Sequence, residues 1–500
     1  MPENDTHIPG RPRYILLIYL VFFCFFFYKV AFYSNSVGHF PDEIAHISYI
    51  GYLDATHAVI PDFKAMTILT QKSSPPVDTG SISDRQGYSG TFVFSNTTNY
   101  LGHPPLYYQI MRLSGGVEYR DGIVTIDIVR LRAFSWVIAA LALLLIFYIG
   151  YSRLGSLPLL HLLYAAICTS VPMLAYDSAG VNNDTLALLG VSIYLFGMLR
   201  FAEKKQNYYT YLLVSIGFMV SLLAKLTAGM MVVLSVFAFL LFYLIKEKNL
   251  RFLLSWKFPA TIPLYLIVVA YFLTIHAQTG SFQPSLDSLN PQQYYSSGFY
   301  IQPTDRTHMD FYGYSAYFLR SFSGSWTGIS SHIALLKNEH IYSLGRIGLI
   351  LLWVLPLLVL YPFHNIHQYS YVDLLLFSIY LSLIITAAAQ FQNAYQGYQY
   401  SGYLGGFQSR YYLCTIAAIG LATTLGVKKL FCLGLGKTSD KLRTARRLTN
   451  DRTSRNLYLK GLLHTEDWRH AGGQVFSVFF SALLIYEDFV YLALHFKQYF

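Results

Sequence analysis

Residues 14–46 read YILLIYLVFFCFFFYKVAFYSNSVGHFPDEIAH. The run over 14–33 is apolar and aromatic almost throughout, long enough to cross about 30 Å of hydrocarbon as a helix. Its core, 14–30, is too long for the apolar region of a signal peptide, and no small-residue cleavage site follows. It therefore reads as a retained anchor. Directly behind it stand Pro41, Asp42, Glu43 and His46. Pro41 stops an upstream helix, and a new amphipathic helix is expected from Glu43 onward.

Ten further apolar runs follow, at roughly 133–150, 159–176, 185–201, 209–224, 226–245, 258–275, 346–361, 372–389, 410–431 and 475–494. Several are short enough to require tilt or local thinning of the bilayer. Composition agrees with this reading. Only 12% of the 500 residues are charged and 54% are hydrophobic, where soluble proteins carry about 25% charged residues. Disorder, collagen, coiled coil and a disulfide scaffold are excluded. The expected fold is an all-α polytopic membrane protein with about eleven transmembrane helices and helical extracytoplasmic loops. Cys24, Cys168, Cys414 and Cys432 show neither metal spacing nor a disulfide framework.

Lys and Arg set the orientation. With the N-terminus in the cytoplasm, 21 of the 36 Lys and Arg fall on cytoplasmic segments that total about half the length of the outer ones. The basic stretch 428–469 carries most of the +10 net charge and reads as an anchor against anionic lipid rather than a nucleic-acid surface. The chain then divides into a cytoplasmic N-terminus and first helix (1–33), a first outer loop (34–132), helices two to seven (133–275), an aromatic-rich outer loop (276–345), helices eight to ten (346–431), a basic cytoplasmic loop (432–474) and a last helix (475–500).

Polar groups collect on the outer side. A helix from Glu43 puts Asp42 or Glu43 on one face with His46. Two carboxylates and an imidazole at a span mouth suit proton abstraction or metal binding, while the plainer alternative is a capping Asp with solvated neighbours. Gly102-His103-Pro104-Pro105 leads into a helix at Leu106. Asp177, Asn182, Asn183 and Asp184 crowd a short loop, with Asp184 as a cap or as the wall of a polar cavity. Lys225 and Arg410 stand at outer span ends, either to meet phosphate or to snorkel. The aromatics of the second loop, Tyr294, Phe299, Tyr314, Phe318 and Trp326 among them, form a small loop core or interfacial belt, or else a platform for sugars.

The order of these motifs resembles the GT-C superfamily of integral-membrane glycosyltransferases, which includes protein O-mannosyltransferases and lipid A aminoarabinose transferases. The likeness lies in Pro41-Asp42-Glu43-Ile44-Ala45-His46, His103-Pro104-Pro105, Asn183-Asp184 and Gln408-Ser409-Arg410-Tyr411, and is strongest to a bacterial branch with such an opening and close. The resemblance implies an enzyme of the bacterial inner membrane. It would take a sugar from a polyprenyl-phosphate donor and pass it, with inversion, to a lipid, glycan or protein acceptor on the extracytoplasmic face. Asp42 is then the candidate base and Glu43 its reserve or orienting partner. His46, His103, Asp184, Lys225, Arg410 and Tyr411 are the candidate substrate-binding residues. No Asp-x-Asp occurs in either acidic loop, so no cofactor is assigned. A divalent metal stays open, with Asp42, Glu43, His46 and Asp184 as candidate ligands. The rival readings are a transporter or flippase of lipid-linked sugars and a glycan polymerase or ligase.

Overall fold

The structure is a computed structural model that describes residues 13–72, 88–326, 353–360, 366–431 and 452–499. The chain is an integral, multi-pass helical membrane protein. Among the described residues, eight helices are long and apolar enough to cross a membrane. They are α1 (Arg13–Ser36), α4 (Ile128–Arg153), α7 (Asp184–Ala202), α9 (Leu226–Glu247), α10 (Ile262–Thr279), α14 (Tyr371–Ser401), α15 (Ile416–Leu430, with the 3-10 turn Ser409–Thr415 ahead of it) and α16 (Arg452–Tyr499). The remaining apolar runs differ from the eleven expected. The run at 159–176 is two helices, α5 (Pro158–Thr169) and α6 (Pro172–Ala179), bent by 54°. Pro172 lacks the N–H that would continue the ladder, so the helix breaks there. The run at 209–224 is the shorter α8 (Tyr208–Ala224). The run at 346–361 lies largely outside the described residues.

Lipid-facing and packed surfaces separate along the helices. Leu16, Leu17, Leu20 and Val21 of α1 and Leu266, Ile267, Val269 and Leu273 of α10 are exposed, as a bilayer-facing surface requires. On the packed side, α7 and α8 approach so closely that a Cβ at Gly217 would fall 2.3 Å from the backbone nitrogen of Tyr194. Close helix approach through small residues is the usual packing mode inside membranes. Lys29 of α1 and Asp488 of α16 form a fully buried ion pair that ties the last span to the first.

The loop after α1, expected at 34–132, is not wholly helical. It holds α2 (Glu43–Thr56), α3 (Leu106–Arg112) and a four-stranded antiparallel sheet in the order β1-β2-β4-β3. The strands are β1 (Thr67–Gln71), β2 (Gly90–Thr98), β3 (Val117–Arg120) and β4 (Ile123–Ile126). Leu69, Phe94 and Val124 of this sheet lie against α2 at Gly51. Short runs of β-branched and aromatic residues, such as Thr91-Phe92-Val93-Phe94, supply the strand preference.

The loop after α10 carries α11 (Leu286–Leu289), α12 (Pro291–Ser296) and α13 (Phe311–Ser325). Tyr314 and Phe318 of α13 pack with Ala394 and Tyr398 of α14 and with Phe407 into a small core. These two loops are locked together. Gln293 accepts from the Thr98 N–H at 2.7 Å and donates to the Thr98 carbonyl at 3.1 Å. A Cβ at Gly102 would meet the Pro284 carbonyl oxygen at 2.0 Å, so only glycine allows this contact. The basic segment expected as a loop to residue 474 becomes helical from Arg452, and its earlier part, 432–451, lies outside the described residues.

Candidate active site

One cavity of about 560 Å³ opens at the end of the bundle where α7 and α9 begin and α8 and α14 end. Asp42, His46, His103, Asp184, Lys225, Arg410 and Tyr411 all line it. Residues as far apart in sequence as Asp42 and Tyr411 thus share one wall.

Asp42 occupies the N-cap position of α2, but its side chain makes no capping hydrogen bond. Its backbone is left-handed, with φ 59°, a region that costs a non-glycine residue about 1–2 kcal/mol. Strain of this kind persists where the surroundings enforce it, often at functional sites. The carboxylate is 30% exposed. It accepts a 2.7 Å hydrogen bond from the Tyr100 hydroxyl and a 3.3 Å bond from Arg410 Nη2.

Glu43 is placed differently. It is fully buried and does not line the cavity. Arg132 grips both its oxygens, at 2.6 and 3.0 Å, and the Phe40 and Val181 N–H groups also donate to it. Arg132 spends its other N–H groups on the carbonyls of Ser34, Val37 and Gly38. The pair therefore fixes the joint between α1, α2 and α4, and Glu43 has no path to a reacting atom in the cavity.

The two cations are both buried and both paired. Lys225 sits in extended backbone at the break between α8 and α9. It reaches Asp184 Oδ1 at 2.5 Å and lies 4.6 Å over the Tyr411 ring. Asp184 is the first residue of α7, preceded by Asn183 at the cap position, which makes no side-chain capping bond. Arg410 stands between Asp42 and Asp177, 3.3 and 3.9 Å away. Neither cation snorkels, since their side chains are 5% and 8% exposed.

His46 donates to or accepts from the Tyr108 hydroxyl at 2.9 Å and stacks nearly parallel to His103. Burial pushes His46 down to about 4, against the opposing pull of Asp42. Burial pushes His103 down to about 3, and Lys225 adds to the effect. Both imidazoles are neutral at neutral pH.

Of the candidate metal ligands, Asp42, His46 and Asp184 share the cavity wall and Glu43 does not. Among the described residues no group of three or more His, Cys, Asp or Glu side chains is arranged to hold a metal ion. Glu43 is taken by Arg132 and Asp184 by Lys225.

Sequence reading missed two groups that shape the site, Arg132 and Tyr100, and named a third, Asp177, without a site role. Arg132 carries the same signal as Arg410, an ionisable residue at a span mouth. Asp177 was legible as part of the crowded acidic loop. Tyr100 had no pattern to mark it among 43 tyrosines.

Two crystal structures of ArnT from Cupriavidus metallidurans are similar to this chain. The apo form is 14% identical with a TM-score of 0.44, covering 94% of this chain and 77% of that one. The form bound to undecaprenyl phosphate is 13% identical with a TM-score of 0.43, over the same shares. No family model matches the sequence, and no curated protein matches it.

Proposed function

We propose that the chain is a membrane glycosyltransferase that takes a sugar from a polyprenyl-phosphate donor on the extracytoplasmic face and passes it to a glycan, lipid or protein hydroxyl or amine. The observation that carries this reading is the cavity wall where Asp42, a partly exposed carboxylate, lies 3.3 Å from Arg410. A base and a phosphate-binding cation side by side at the mouth of a helical bundle fit a lipid-anchored donor and an acceptor arriving from water.

In the proposed step Asp42 removes the proton of the acceptor as its heteroatom attacks the anomeric carbon. A new glycosidic bond forms there, and the bond from that carbon to the phosphate oxygen breaks. The lipid phosphate leaves with the electron pair, and one displacement inverts the anomeric centre. Arg410 exchanges its carboxylate partners for the donor phosphate, and Lys225 adds a second charge, so the leaving group meets fixed positive groups in a desolvated site. Those two cations supply the charge a metal would otherwise provide, so the proposed step runs in the presence of a chelator. His46 and His103, neutral and stacked, line the sugar's side of the cavity.

Asp42→Asn tests this. The full-length protein in nanodiscs is given synthetic undecaprenyl-phosphate sugars and a membrane extract as acceptor source, and release of undecaprenyl phosphate is followed. General-base catalysis contributes about 10²–10⁴-fold, so turnover falls by that factor. Asn caps a helix as well as Asp and tolerates left-handed backbone, so the variant folds. Wild-type turnover in Asp42→Asn would falsify the base assignment.

A further inference from the structure

We propose that Tyr100 is the positioning residue for Asp42, its hydroxyl aiming the carboxylate at the incoming acceptor while the ring of Phe299 holds Tyr100 in place. This rests on the reading of Asp42 as base.

The geometry comes from three segments. Asp42 makes no capping bond with its own helix, so its direction must be set from elsewhere. Of its hydrogen bonds to Tyr100 and Arg410, the one to Tyr100 is the shorter, 2.7 against 3.3 Å. In the proposed reaction Arg410 turns toward phosphate, which leaves the Tyr100 bond in force at the moment of proton transfer. Tyr100 itself is anchored through its neighbour. Asn99 donates to the Ala45 carbonyl of α2 at 2.9 Å and accepts from the Leu101 N–H at 3.0 Å. The Tyr100 ring then meets Phe299 of the second outer loop edge-on at 5.4 Å, and Phe299 meets Tyr403 at 5.3 Å. Part of the aromatic richness of that loop therefore bears on the base.

Tyr100 is the donor in this bond. Burial and the adjacent Asp42 carboxylate push its phenol up, so it stays protonated across the working pH range. A hydrogen bond donated to a carboxylate favours the ionised form and holds its pKa down. The other titratable or charged groups facing Asp42 are Arg410 and Tyr411, Tyr403, His46 with its partner Tyr108, His103, and Asp184 with Lys225. None of these groups is altered chemically in Tyr100→Phe, which removes only the hydroxyl that donates to Asp42.

The experiment is a pH titration of full-length protein in nanodiscs by difference infrared spectroscopy. The Asp42 carboxyl band is assigned by its loss in Asp42→Asn. In Tyr100→Phe the Asp42 midpoint and the acid limb of donor turnover both move to higher pH by about one pH unit, with turnover down about tenfold. Incorporation of 3-fluorotyrosine at position 100 strengthens the donor and moves both to lower pH. Phe299→Ala loosens the ring and gives a smaller shift in the Tyr100→Phe direction. Opposite shifts from two substitutions at one site cannot come from a general loss of folding. An Asp42 midpoint unchanged in both Tyr100 variants, with Asp42→Asn inactive, overturns the role of Tyr100 and leaves the base assignment standing. Wild-type turnover in Asp42→Asn overturns both.

Discussion

Arg132 closes on both oxygens of Glu43, while the carboxylate one residue earlier, Asp42, stands on the wall of the open cavity. Two adjacent acidic residues are thus split between a buried joint and the wall of a cavity. The left-handed backbone at Asp42 turns the chain between them, so one side chain enters the joint of α1, α2 and α4 and its neighbour faces the opening.

Glu43→Gln removes the charge partner of a buried guanidinium. Breaking a buried pair from one side costs about 3–5 kcal/mol. The variant is expected to melt well below wild type in a detergent thermal-unfolding assay, whereas Asp42→Asn stays close to it. A Glu43→Gln protein as stable as wild type would remove the structural assignment of this pair.

His46 gives the stability a pH dependence with a definite sign. Its folded value of about 4 lies below the ordinary 6.5. Below pH 6.5 the unfolded chain therefore binds a proton that the folded protein refuses. The stability is fully present above pH 6.5 and is lost as pH falls toward 4, by about 1.4 kcal/mol per pH unit for this one group. His103 acts in the same direction. Denaturant unfolding at pH 7 and pH 5 measures the slope, and His46→Gln should flatten it. An equal slope in the variant would show that His46 is not buried in neutral form.

Gly397 offers a steric test of the cavity. It lies on α14 and lines the opening, and a Cβ built there meets nothing within 4 Å. A side chain at 397 therefore starts in open space on the cavity wall, and Gly397→Trp is expected to extend into the opening. It should leave thermal stability within about 1 kcal/mol of wild type, the exposed-helix gain over glycine included, and reduce donor turnover at least tenfold. Full turnover in this variant would place the reaction elsewhere.

Much of the helical frame was legible because a span announces itself by unbroken apolarity, and α1, α4, α7, α9, α10, α14, α15 and α16 follow that rule. Where one residue type overrides the pattern, as Pro172 does between α5 and α6, hydropathy alone joined what the backbone separates. The sheet over 67–126 was missed because its strands are short and sit inside a loop read for its motifs. The pairing of charges was the least legible part. Lys225 with Asp184, Arg410 with Asp42 and Asp177, and Arg132 with Glu43 each join separate elements, and no local spacing encodes such contacts. The same holds for Tyr100, whose place is set by Asn99 gripping α2.

The cavity end of the bundle is the end that the Lys and Arg distribution places outside. Reporter fusions at residue 205, between α7 and α8, should read cytoplasmic, and fusions at residue 298, between α12 and α13, should read extracytoplasmic. The reverse pattern would put the cavity on the cytoplasmic side and remove the case for an extracytoplasmic transfer.

Arg410 carries the last expectation, on donor phosphate. Its Nη1 and Nη2 reach toward Asp177 and Asp42 from one planar fork, and that fork can meet two phosphate oxygens at once. A hydrogen bond to a charged group contributes about 1.5–3 kcal/mol, which converts to roughly 10- to 100-fold in affinity. Arg410→Ala in nanodiscs should therefore bind undecaprenyl phosphate that much more weakly. Arg410→Lys keeps a charge but only as a point, and its ammonium cannot bridge the two aspartates, so it should recover part of the loss. The site is buried, so added salt should change wild-type affinity little compared with a surface cluster. Saturation binding of radiolabelled undecaprenyl phosphate, with and without chelator, reads all of this at once. Unchanged affinity in Arg410→Ala would reduce Arg410 to a structural partner of Asp177 and would move the phosphate toward Lys225. Affinity that vanished on chelation in the wild-type protein would show that a metal, and not these two side chains, holds the phosphate.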